Sequence, residues 1–141
     1  MSTSSLFPAG MILAMAAAPA ASAPLEAVRW EKRVALVFGE GEAVESQLSD
    51  LKGDQGALAD RDMLVLRIAG ETASAEWGEG VDALDAAELR DAYGVEEDAP
   101  FTVILLGKDG SEKLRRTEPV PAADIFGLID SMPMRQSEAN G

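Results

Sequence analysis

Beyond the amino-terminal segment, apolar residues fall along this chain in three largely apolar runs and three helical stripes, separated by polar and glycine-rich stretches. Val34 to Phe38 (VALVF) is continuously apolar and rich in β-branched residues, which predicts a central strand buried on both faces. Val44, Leu48 and Leu51 then recur at helical spacing, with Leu58 two turns on, so a helix follows, with a break open at Gly53 or Gly56. Met63 to Ala69 (MLVLRIA) is a second buried run one helix later, the spacing of a parallel strand–helix–strand crossover. Gly70 to Val81 shows no period and reads as a surface loop in which Trp77 caps an edge of the core. Asp85 with Glu88 forms a capping box for a short helix through Leu89 and Tyr93 that Gly94 ends. Phe101 to Leu106 (FTVILL) is a third buried strand, and Lys108-Asp109-Gly110 turns it into a polar edge strand over Ser111 to Thr117. Pro121 opens a last helix striped by Ile125, Leu128, Ile129 and Met132 and stopped by Pro133, beyond which residues 136–141 are expected to fray. The resulting order, strand, helix, strand, helix, strand, strand, helix, predicts a three-layer α/β/α sandwich on a four-stranded mixed sheet. Its predicted strand order is 2-1-3-4, with the third strand antiparallel.

The amino-terminal segment changes the picture of where the chain works. Leu6 to Ala18 is an apolar run of 13 residues followed by the small residues Pro19 to Ala23, the pattern of a secretory signal peptide. Pro24 disfavours a cut after Ala23, so cleavage is expected after Ala20 or Ser22, making 1–22 an address and 23–135 the domain. The run is too short to span a bilayer. Expected localisation is therefore the periplasm or the exterior.

Composition removes chemistry rather than adding it. The net charge of −13 opposes nucleic-acid binding and anionic membranes, since phosphate contacts need clustered Lys and Arg. Cysteine and histidine are both absent, which excludes disulfides, thiolate nucleophiles and zinc–thiolate sites, and removes the usual general base. No cofactor is indicated. Catalysis would fall to carboxylates, hydroxyls, Lys or Tyr.

Several segments together resemble one family: Arg29-Trp30-Glu31-Lys32-Arg33-Val34, Tyr93-Gly94-Val95, Phe101-Thr102-Val103, Gly107-Lys108-Asp109-Gly110, Lys113-Leu114-Arg115 and Asp130-Ser131-Met132-Pro133-Met134-Arg135. It is the bacterial family of domain of unknown function 4174, with Gly-Lys-Asp-Gly and Met-Pro-Met as the most specific marks. The resemblance implies a thioredoxin-like domain related to the peroxiredoxin-like modules of sushi-repeat extracellular proteins, and it implies no established activity. The strand and helix order reaches the same fold separately. In that fold the redox pair would fall near Ala43 and Ser46, and Pro100 takes the place of the proline that packs beside it. Whether Ala99-Pro100 is cis stays open.

Two charged constellations follow from this topology. Glu40, Glu42, Glu96, Glu97 and Asp98 would gather around the vacated redox end, where oxygen ligands could hold a hard cation such as calcium. The plainer reading is a solvated acidic rim. Arg29, Lys32, Arg33, Lys108 and Lys113 would meet at the opposite pole and could steer an acidic protein partner, although charge on an edge strand also simply discourages edge pairing. Ser46 has no histidine to activate it, and Trp30, entering a buried strand, is expected in the core. Two function classes remain: a non-catalytic exported interaction module, or a carboxylate-dependent hydrolase or isomerase.

Overall fold

The computed structural model describes residues 24–140, so the expected signal segment and its cleavage sites lie outside the described residues. After a 3-10 turn over Glu26–Val28 come β1 (Arg33–Phe38), α1 (Glu42–Lys52), α2 (Gln55–Asp60), β2 (Met63–Ala69), β3 (Thr72–Trp77), α3 (Ala86–Tyr93), β4 (Thr102–Leu106), β5 (Glu112–Arg116), α4 (Ala122–Asp130) and α5 (Pro133–Asn140). β1 is parallel to β2, with Arg33 opposite Met63, and antiparallel to β4, with Phe38 opposite Thr102. The sheet therefore has five strands in the order β3-β2-β1-β4-β5 rather than four.

The three apolar runs form the three central strands because both faces of each are covered. Ala35, Val37, Val65, Val103 and Leu105 pack under Val44, Leu48 and Leu51 of α1 and Ile125 and Ile129 of α4. Leu36, Phe38, Leu64, Leu66, Ile68 and Ile104 pack on the opposite face beneath Leu89 of α3, together with Val28 and Val95. The Asp85 carboxylate accepts the Glu88 N–H at 3.0 Å, and Gly94 ends α3 in the left-handed conformation at φ 66°. The first helical stretch breaks at Gly53, and Asp54 caps α2.

Three expectations are corrected and one open question is answered. Thr72–Trp77 is an edge strand, not loop, and a bulge against Val65/Leu66 makes Glu76 its extra residue. Trp30 is 57% exposed instead of core, because the chain turns at 29–32 before the strand begins and holds Trp30 at φ 72°. The Ala99-Pro100 bond is trans, as are all described peptide bonds. Residues 136–140, expected to fray, continue α5, which takes Pro133 as its first residue.

Candidate functional site

At the end of the sheet where β1 meets β4, Gly39 takes φ 121° and passes so close to Phe101 that a Cβ there would lie 3.3 Å from the Phe101 Cα. The two positions expected for a redox pair follow it in sequence. Ala43 is half-buried against the core below α1, and Ser46 is exposed beside Pro119 and Pro121. Pro100 is exposed. The acidic residues are at this end but do not converge. Glu40 leans to the β2–β3 turn, where a Cβ on Gly70 would be 3.2 Å from its Oε2, whereas Glu42 opens α1 and Glu96, Glu97 and Asp98 lie exposed before β4. Among the described residues no three acidic side chains form a group that could hold a metal ion. With no cysteine in the sequence, neither thiolate attack on peroxide nor disulfide exchange is open to this end.

The opposite pole is organised more tightly, and differently from a bare positive patch. Arg33 is 1% exposed, because β1 places it on the face that α5 covers. Its Nη1 donates to the Arg61 carbonyl at 2.9 Å, and its Nη1 and Nη2 both donate to the Glu138 carboxylate, at 3.3 and 3.2 Å. Lys108 donates to Asp62 at 2.9 Å and to Glu138 at 2.7 Å. Burial alone would lower the Lys108 pKa, but these two carboxylates outweigh it and raise the group above its usual 10.5. Arg135 donates to Asp130 at 3.1 Å and to the Asp60 carbonyl at 3.0 Å, and pairs with the Asp60 carboxylate; Arg61 also pairs with Asp130, at 2.9 Å. The partner surface drawn from the basic residues is thus corrected in part. Arg33 and Lys108 are internal, neutralised by acids distant in sequence, while Arg29, Lys32 and Lys113 stay at the surface.

What the charges frame is the turn 107–110. The Trp30 N–H donates to the Lys108 carbonyl at 2.6 Å and Arg29 Nε to the Asp109 carbonyl at 3.1 Å, so the 29–32 segment is stapled to this turn. Ser111 donates backbone and side-chain hydrogen bonds to the Asp109 carboxylate, which hold it below its usual 3.8. Sequence reasoning passed over Asp60, Asp62 and Glu138, whose roles are set by partners many residues away. Met134 was in view only as part of the Met-Pro-Met mark, and Met132 otherwise only as the end of an apolar stripe.

Comparison with known proteins agrees with this architecture. The family described as "Domain of unknown function (DUF4174)" matches residues 24–138. No curated protein matches the chain. Among solved structures, Plasmodium yoelii thioredoxin peroxidase I is similar at TM-score 0.55 and 15% identity, over 78% of each chain. The reduced 2-Cys peroxiredoxin of Plasmodium vivax is similar at TM-score 0.54 and 14% identity, over 78% of this chain and 70% of that one. The mitochondrial 2-Cys peroxiredoxin of Plasmodium falciparum follows at TM-score 0.53 and 13% identity, over 79% and 82%. At these identities the likeness shows a shared thioredoxin-like fold and nothing of activity.

Proposed function

The chain belongs to the DUF4174 family of domains of unknown function, and from that premise we propose that it is a non-catalytic, exported binding module whose working surface is the pole around the 107–110 turn. One observation carries the reading. The large apolar side chains most exposed among the described residues, Trp30 at 57% and Met134 at 42%, both belong to segments that touch this turn. An exposed Trp held in a left-handed conformation is costly to keep and is the residue type most enriched at interface centres. Arg29 lies over its ring at 5.6 Å, adding a cation beside the aromatic face. Export rests on the amino-terminal pattern, and the partner is another protein.

Reversing Arg33 or Lys108 would break internal pairs, so the discriminating variants lie at the rim. In capture from the host's extracytoplasmic fraction, Trp30→Ala is expected to weaken partner retention by about tenfold or more. A triple Glu40→Gln, Glu42→Gln, Asp98→Asn variant is expected to retain it. The opposite result would return the working surface to the old redox end.

A further inference from the structure

We propose that the cleft between the 107–109 turn and the 132–134 segment binds a small aliphatic carboxylate on the unused edge of the Arg33 guanidinium. The cleft has a volume of about 260 Å³ and is walled by Arg33, Gly107, Lys108, Lys113, Met132 and Met134, among others. The Gly-Lys-Asp-Gly and Met-Pro-Met segments, far apart in sequence, thus face each other across one small cavity.

The chemistry follows from counting the donors of Arg33. Both Nη1 hydrogens are used, on Arg61 and Glu138, and one Nη2 hydrogen is used on Glu138. The Nε has no partner, and it is the one buried side-chain polar atom among the described residues without one. The two hydrogens left over, on Nε and Nη2, lie parallel along one edge of the fork, the arrangement that takes both oxygens of a carboxylate. A buried donor without an acceptor is unfavourable, so a ligand reaching that edge relieves it. The neighbouring edge already holds a carboxylate, that of Glu138, which shows what this guanidinium accepts.

The surroundings narrow the ligand further. Lys113 is the extra residue of a bulge in β5, where Leu105 pairs with Leu114 and Leu106 with Glu112. The bulge lays its side chain across Gly107, where a Cβ would meet the Lys113 Cε at 2.6 Å. Among the described residues its ammonium makes one hydrogen bond, a long one to Asp109 at 3.4 Å, so it can move to an incoming anion. Lys113, Met132 and Met134 are unbranched and can shift to open the way to Arg33. The methionines and Pro133 ask for an aliphatic body, the cavity size asks for a short one, and Asp109 and Glu138 disfavour a dianion such as phosphate. A free short-chain acid and the carboxyl end of a peptide share this chemistry.

This deepens the binding-module reading and rests on it for the choice of pole, but its test needs no protein partner. Butyrate, N-acetyl-leucine, N-acetyl-leucine amide and inorganic phosphate are each titrated into the full chain, with NMR reading the Arg33 Nε–H signal and the Met132 and Met134 methyls. Both carboxylates are expected to shift these signals saturably, and the amide and phosphate to leave them in place. Tighter binding of N-acetyl-leucine identifies a chain end, and tighter binding of butyrate a free acid. Met134→Glu, at an exposed position, places a competing charge at the mouth and is expected to weaken binding about tenfold or more. Equal shifts with the amide, an immobile Arg33 signal, phosphate binding as well as butyrate does, or unaltered affinity in Met134→Glu would each overturn the site.

Discussion

Replacing Gln47 by leucine is expected to destabilise the protein by about 2–6 kcal/mol, read as a lowered urea midpoint with an unchanged slope. Gln47 is 1% exposed, and its amide bonds Val120 in both directions. Nε2 donates to the Val120 carbonyl at 2.9 Å, and Oε1 accepts the Val120 N–H at 2.7 Å. Leucine fills a similar volume, so the loss comes from two backbone groups left without partners, at about 1–3 kcal/mol each. The effect spreads to α4, because two residues on Asp50 accepts the Ala122 N–H at 2.7 Å at the start of that helix. Gln47→Glu keeps the acceptor and loses the donor, so an intermediate loss is expected. An unchanged midpoint in Gln47→Leu would mean that the 119–122 segment is held by something other than this amide.

The second large effect is local. Pro133, Met134, Gln136, Ser137 and Glu138 of α5 are exposed, and Arg135 is the residue it buries among those described, so ion pairs hold it to the body instead of apolar packing. Burial alone would raise the Glu138 carboxyl, but hydrogen bonds from Lys108 and Arg33 outweigh it and hold the group below its usual 4.5. The Arg61 guanidinium, with Arg135, holds Asp130 below its usual 3.8. Both groups are more acidic folded than unfolded, so the attachment they supply is complete above about pH 4.5 and is lost as pH falls through the lower folded values. On acidification, amides of 136–138 are expected to lose hydrogen-exchange protection while those of β1, β2 and β4 keep theirs. At pH 7, Arg135→Met is expected to produce the same pattern, with a fall in α5 protection of about 10–100-fold. Simultaneous loss in helix and sheet would show that α5 is part of the cooperative core.

The central strands were legible because burial on both faces writes itself as an unbroken apolar run, and the Lys108-Asp109-Gly110 turn because its residue types answer a backbone requirement. β3 was not, for a reason its own bulge supplies. Ala73 and Trp77 have the same parity, yet Ala73 packs on the α3 side and Trp77 on the α1 side, because the extra residue Glu76 reverses the alternation between them. No period of two survives to be read. Trp30 misled because a Trp next to an apolar run normally joins it, whereas here the chain turns first. Arg33 misled for the complementary reason. A basic pair before a strand looks like surface, and the partners that make its burial tolerable, the Arg61 carbonyl and Glu138, are far away in sequence, Glu138 by 105 positions. Both ends of the candidate cleft were visible as motifs, but that they face one another is a fact of the fold.

The acidic end bears on how a cysteine placed there would behave. Ser46 lies a full turn inside α1, past the reach of the helix amino terminus, and Glu42 and Asp50, four residues to either side, share its helix face. A sulfur installed there meets negative potential where a thiolate needs the reverse, so the thiol of a Ser46→Cys variant is expected to titrate above the ordinary value of about 8.5, measured by its rate of alkylation against pH. A titration below that value would show the end to be still poised for redox work. Under the expected outcome the serine is not what keeps this position unreactive: the carboxylates one turn away on the same helix set its potential, so a cysteine there would supply the sulfur atom without the reactivity.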